Sequence, residues 1–207
     1  MSFYADHIVP YLVHLSMQQE ALVVYRKRVI GAAEGQVLEI GVGSGMNFAY
    51  YSSRAEHVIG LDPSAKLLSM AAGAKKAPGV PIDLFKGSAE EIPLDDKTID
   101  TVVTTWTLCT IPDVKRALSE MQRVLKPTGH LLFVEHGQSP DANVRHWQDR
   151  LTPLWRCLAG GCHLNREIAQ LIQAAGFQIE QIDTGYMKGP RPMTFMYQGS
   201  ARPQMAI

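Results

Sequence analysis

The stretch Val37-Leu38-Glu39-Ile40-Gly41-Val42-Gly43-Ser44-Gly45 decides the reading of this chain. Val37, Leu38 and Ile40 form a short apolar run with one carboxylate in it, the pattern of a strand covered on both faces of a parallel sheet. Glycines at the alternate positions 41, 43 and 45 leave no side chain where a flat ligand must lie against the backbone. From Ser44 onward, Met46, Asn47, Phe48, Tyr50 and Tyr51 are expected to open a helix whose first N–H groups face that ligand.

Such a turn serves two cofactor classes. The dinucleotide fingerprint G-x-G-x-x-G needs its third glycine where this chain has Met46, so that reading fails on spacing. The observed pattern is E-x-G-x-G-x-G. It resembles the first motif of the class I S-adenosylmethionine-dependent methyltransferases. The resemblance implies that Glu39 helps to hold the methionine ammonium, and that Gly41, Gly43, Gly45 and Asn47 line the cofactor.

Downstream segments carry the pattern on. His57-Val58-Ile59-Gly60-Leu61 reads as a second strand ending at Asp62, where a carboxylate can accept both ribose hydroxyls. Pro63 stiffens the next turn beside the cofactor, and Ser64 can cap a helix over 65–74. After a third strand, Ile82 to Lys86, comes Gly87-Ser88-Ala89-Glu90-Glu91-Ile92-Pro93. It resembles the family's G-D-A-E-x-L-P segment, which places Ser88, Ala89 and Glu90 at the adenine. Ser88 departs from that pattern, and its hydroxyl can accept from the exocyclic amine only without charge assistance. A fourth strand, Ile99 to Thr105, points Thr105 and Trp106 at cofactor and acceptor.

The remaining elements complete an alternating α/β chain. Val114, Ala117, Leu118, Met121, Val124 and Leu125 make one helical stripe, stopped by the Lys126-Pro127-Thr128-Gly129 turn. Strand five is His130 to Val134, with Glu135-His136-Gly137 at its tip. Two helices fill 141–176, the second capped by Asn165 and ended by Gly176. Phe177–Ile182 and Met193–Gln198 alternate as an antiparallel hairpin would. The expected fold is α/β: a doubly wound, mostly parallel, Rossmann-like sheet of seven strands with one antiparallel edge strand. One domain spans 1–207, with a helical lid over 1–33, a core over 34–200 and a disordered tail over 201–207. Within 6–30, Val13, Met17, Ala21 and Val24 form the expected buried stripe, with a break near Pro10. Arg26, Lys27 and Arg28 read as a solvated face.

Composition sets outer limits. At 207 residues the chain buries roughly 70% of its unfolded surface, enough for a core without staples. Its 20 basic and 20 acidic residues cancel, which gives no global attraction to nucleic acid. Three cysteines make no disulfide framework, so a reducing, cytoplasmic compartment is expected. Residues 8–15 are apolar but too short and too interrupted to span a bilayer. A membrane-surface contact through this helix is the alternative to a lid.

Within the family, Leu108-Cys109, Glu135-His136 and Gly161-Cys162-His163-Leu164-Asn165-Arg166 resemble the small alkyl-thiol methyltransferases. The resemblance implies methyl transfer to a small apolar acceptor, thiol sulfur first, with S-adenosylhomocysteine as product. A phenol or quinone-type hydroxyl and a phospholipid headgroup amine are the alternatives, and a non-catalytic cofactor-binding protein stands behind them. His136 and His163 are the candidate bases. Tyr11, His14, Leu108, Cys162 and Arg166 are candidate acceptor contacts, with Trp106, Trp147, Trp155 and Tyr186 as walls. Metal binding is not expected, because Cys162 and His163 are adjacent with no second pair at ligand spacing.

Overall fold

The computed structural model describes residues 7–74 and 79–204. The apolar stretch that opens the reading is strand β1, Gly35–Ile40, and it lies inside a seven-stranded sheet. The other strands are β2 (Ala55–Asp62), β3 (Ile82–Lys86), β4 (Ile99–Thr105), β5 (Leu125–His136), β6 (Phe177–Tyr186) and β7 (Phe195–Pro203), in the order β3-β2-β1-β4-β5-β7-β6. β7 runs antiparallel to both β5 and β6; all other pairings are parallel. From β1 the chain first moves outward through β2 and β3, then returns to β4 on the other side. That reversal makes the β1/β4 carboxyl ends the crevice where α/β sheets bind ligands.

Side-chain alternation divides the core. Leu38, Ile40, Val102, Leu131 and Phe133 pack with the stripe of α4 (Val114–Val124) and with Ile168 and Ile172 of α6 (Ile168–Ala174). Val37, Val103, Leu132 and Val134 belong to a second cluster with Val29 and Ile30 of α2 (Val23–Ile30). Leu118 and Met121 are fully buried; truncating either to Ala should cost roughly 2–5 kcal/mol. The Asp113 carboxylate caps α4 by accepting the Arg116 N–H at 3.0 Å. Ser64 accepts the Leu67 N–H at the start of α3 (Ala65–Ala74), as expected.

Several expectations give way. No helix follows the glycine turn, only a single 3₁₀ turn, Phe48–Tyr50. Gly45, at φ +79°, lies outside the right-handed helical region and keeps the chain from entering a helix at Ser44, while Asn47 and Tyr51 turn inward to bond Glu39. The N-terminal stripe also fails. Pro10 sits in the first turn of α1 (Val9–Ser16) rather than breaking it, and the break falls at Met17–Gln19, before a 3₁₀ turn over Glu20–Leu22. The helical phase resets there, so Leu22, Arg26, Val29 and Ile30 are buried while Ala21 and Val24 are exposed.

At the other end β7 runs to Pro203, so part of the expected tail is strand; residues 205–207 lie outside the described residues. Met193 and Thr194 belong to a short helix, α7 (Arg191–Thr194), and not to that strand. β5 likewise starts at Leu125, where the end of the helical stripe and its stop were expected. Asn165 caps nothing: its amide donates to Asp149 of α5 (Ala142–Leu158) at 2.8 Å. Among the described residues no helix is long and apolar enough to cross a membrane.

Candidate active site

Glu39 is fully buried at the end of β1. Its Oε1 accepts from Asn47 Nδ2 at 2.7 Å and its Oε2 from the Tyr51 hydroxyl at 2.7 Å. Asn47 Nδ2 also reaches Thr105 Oγ1 at 2.9 Å, joining β1 to β4 at the switch point. Burial pushes the Glu39 carboxyl up to about 7, against the two hydrogen bonds and the charge of Arg26. Arg26 is the residue that sequence reasoning misplaced. It is 4% exposed, donates from Nε to Asn47 Oδ1 at 3.0 Å, and lies over the Trp106 ring at 5.1 Å. Its position in a run of three cations concealed that role, because helical phase alone decides which of the three faces in.

The glycine turn is pinned to β2. Gly41 and Val42 donate to Leu61 O, and Gly43 donates to Asp62 Oδ2 at 2.9 Å, so these three N–H groups are engaged within the protein. Asp62 Oδ1 accepts the Ser64 N–H at 2.8 Å, and burial raises this carboxyl against both bonds. A Cβ at Gly41 would strike the Thr107 side chain, and one at Gly45 the Phe48 ring, so both serve packing. Gly43, at φ +56°, differs: a Cβ there would meet nothing nearer than 3.9 Å. That strained, side-chain-free backbone facing open space fits a flat cofactor, with Asp62 beside it.

The neighbouring segments are placed as follows. Pro63 and Ser88 are exposed; the Ser88 hydroxyl engages the Glu90 carboxylate and backbone, and Glu90 Oε1 accepts the Asp113 N–H at 2.7 Å. Ala89 is buried in the core. Trp106 holds the left-handed backbone at φ +52°, with its N–H on Val134 O. From the N-terminal side α1 reaches the turn. His14 Nδ1 lies 2.7 Å from Ser44 Oγ, and Tyr11, half exposed, carries the Lys66 ammonium over its ring at 5.1 Å.

Beyond β4 and β5, three segments far apart in sequence meet. Cys162 Sγ stands 3.7 Å from Cys109 Sγ and 3.0 Å from His136 Nε2. Hydrogen bonding from Cys109 and from His136 draws the Cys162 thiol down, while the Cys109 thiol is pushed up by the same contact and by burial. Glu135, fully buried, accepts the Thr107 N–H at 3.0 Å and is raised to about 7 by burial. The His163 backbone and Nδ1 both face Cys109 O, at 2.8 and 3.1 Å. Arg166 donates to Leu108 O and to Ile111 O, so it braces this loop rather than facing an acceptor. Leu108 is a correction: it is 0% exposed and belongs to the core, leaving no surface for a substrate. Trp155 lies against Cys162, whereas Trp147 is 53% exposed and walls nothing. The Tyr186 hydroxyl is held by Ser139 at 2.5 Å.

Comparison with known proteins agrees with this fold. Residues 38–133 match the family model of a methyltransferase domain. The chain is 33% identical over 154 residues to thiol S-methyltransferase TMT1B of Rattus norvegicus, covering 72% of this chain and 63% of that protein. It is 30% identical over 170 residues to the Homo sapiens protein of the same name, covering 79% and 68%. Phosphatidylethanolamine N-methyltransferase of Cereibacter sphaeroides is 36% identical over 109 residues, covering 52% and 53%. The chain thus spans about three fifths to two thirds of the length of the thiol methyltransferases. Among solved structures, the YcgJ protein of Bacillus subtilis superposes with a TM-score of 0.68 at 18% identity, over 90% of this chain and 99% of that one. The chain belongs to the class I S-adenosylmethionine-dependent methyltransferase family.

Proposed function

We propose that this enzyme methylates the sulfur of small, apolar thiols. The observation that carries the reading is the convergence of Leu108-Cys109, Glu135-His136 and Gly161-Cys162-His163 at the carboxyl ends of β4 and β5, beside the switch-point crevice. The thiol methyltransferase relatives support it.

S-adenosylmethionine supplies a methyl already activated by its sulfonium. The residues that would hold it are Asn47 and Thr105 toward the amino acid, with Glu39 buried behind Asn47, Asp62 and Pro63 toward the ribose, Ser88, Ala89 and Glu90 toward the adenine, and the turn at Gly43. The protein's task is then mainly to position the acceptor, and effective alignment is worth ~7–11 kcal/mol. A thiol, with a pKa of about 8.5, needs only modest help to ionise. His163 is the proposed base: its Nδ1–H on Cys109 O leaves Nε2 free to accept a proton. His136 acts through Cys162, which its Nε2 contacts. We assign α1, through His14 on Ser44, the part of a lid.

The test is an acceptor screen by mass spectrometry with alkyl thiols, phenols and phosphatidylethanolamine vesicles, after calorimetry has established S-adenosylhomocysteine binding. S-methylated product from thiols alone is expected. Methylation of the amine headgroup and of no thiol would overturn the reading. That second activity is favoured by the exposed Ile8, Leu12 and Leu15 of α1 and its flank, which could meet a lipid surface.

A further inference from the structure

We propose that Cys109, Cys162 and His136 form a zinc site whose fourth position takes the acceptor thiol as thiolate. The inference concerns the ligand of the site assigned above, and its second half rests on the thiol reading.

The three donor atoms all lie within 4.8 Å of one another, the one such group of His, Cys, Asp and Glu among the described residues. With Zn–S bonds of about 2.3 Å, a tetrahedral site separates two sulfurs by about 3.8 Å; the Cys109 and Cys162 sulfurs are 3.7 Å apart. The corresponding sulfur–nitrogen edge is about 3.5 Å, so His136 Nε2, now 3.0 Å from Cys162, would retreat by about half an ångström. Two thiolates and a neutral imidazole cancel the dication's charge, and this mixture of soft and borderline donors suits zinc.

The site is built rather than accidental. Arg166 holds the carbonyls of Leu108 and Ile111, on either side of Cys109. The His163 N–H, next to Cys162, holds Cys109 O itself at 2.8 Å. Glu135, next to His136, holds the Thr107 N–H on the Cys109 segment. Each ligand-bearing segment is therefore tied to another before any ion arrives. Both thiols are buried, while His136 keeps part of its surface exposed. His136 Nδ1 has no partner, so the hydrogen bond that commonly tightens a zinc histidine is missing and the ion should exchange readily. Three protein ligands with one place left over is the count of a site that binds a water or a substrate. A thiol R–SH entering there gives its proton to the proposed base, His163. Its sulfur lone pair forms the zinc–sulfur bond as the bound water departs.

The reduced, chelator-stripped protein would be titrated anaerobically with cobalt(II) as a spectroscopic stand-in. A sulfur-to-cobalt charge-transfer band and tetrahedral visible bands should saturate at one equivalent and vanish on adding zinc. Cys109→Ser, Cys162→Ser and His136→Gln should each weaken uptake at least tenfold, while Cys157→Ser, at an exposed cysteine, should not. S-adenosylhomocysteine binding checks that each variant is folded. Adding 2-mercaptoethanol should intensify the charge-transfer band; an unchanged band would overturn the fourth-ligand assignment. No saturable band, or a Cys109–Cys162 disulfide forming without metal uptake, would overturn the site. Thiol methylation unaffected by chelation, with no band, removes the metal and leaves the proposed function. A saturable site in a protein that methylates no thiol does the reverse.

Discussion

Arg26 Nε lies 3.0 Å from Asn47 Oδ1, and the amide of the same asparagine reaches Glu39 at 2.7 Å, so the helix that precedes the sheet is wired to the carboxylate at its centre. Arg26 and Glu39 are both buried, and Asn47 stands between them as acceptor to one and donor to the other. Asn47→Ala strips a partner from each at once. Leaving buried charged groups under-bonded should cost about 2–4 kcal/mol. Urea denaturation measures this directly, and a loss below half a kilocalorie would show the network to be dispensable.

Glu39 gives the chain a pH signature. Its folded carboxyl titrates at about 7, against about 4.3 for an unfolded glutamate. Between those values the folded chain keeps a proton that the unfolded chain releases. The group's contribution is therefore complete below about pH 4.3 and is lost as pH rises to about 7. Glu39→Gln stays neutral throughout. Relative to the parent it should melt higher at about pH 8, and the gap should close toward about pH 4. A gap independent of pH would show that Glu39 ionises freely when folded.

Asp62 holds two backbone N–H groups and is the proposed ribose contact. Asp62→Ala should weaken S-adenosylhomocysteine binding by about 1.5–3 kcal/mol, roughly 10- to 100-fold in Kd. Asp62→Asn retains an acceptor for one of those N–H groups and should fall between the two. Calorimetry that finds unchanged affinity for the alanine variant would remove the ribose assignment.

His163→Ala should leave S-adenosylhomocysteine binding intact and lower turnover on thiols ~10- to 100-fold, the low end of general-base catalysis because a thiol is already partly ionised. Steady-state rates at saturating cofactor are the readout. Full activity would reduce His163 to its hydrogen bond with Cys109 O.

The succession of strands, the antiparallel pairing at the end of the sheet and the glycine turn after β1 were legible in the chain, because each depends on local periodicity or on a turn that few residues can make. Val37 to Gly45 is one strand and one turn, and nothing distant alters its reading. Helix phase was less secure. A three-residue break at Met17–Gln19 rotated everything after it, exposing Val24 and burying Arg26, because pattern reading assumes one uninterrupted helix. Likewise Leu108 read as an acceptor contact and proved to be core, since its position just past β4 says nothing about which way that loop folds.

What only the tertiary structure decided is the meeting of Cys109, His136 and Cys162. They lie on three segments separated by more than two dozen residues each, too far apart for any local spacing rule. The parallel register of β4 with β5 sets Cys109 and His136 side by side, and the return of the chain after α5 brings Cys162 onto them. Sheet pairing, which acts across the chain rather than along it, is the physical cause of that cluster.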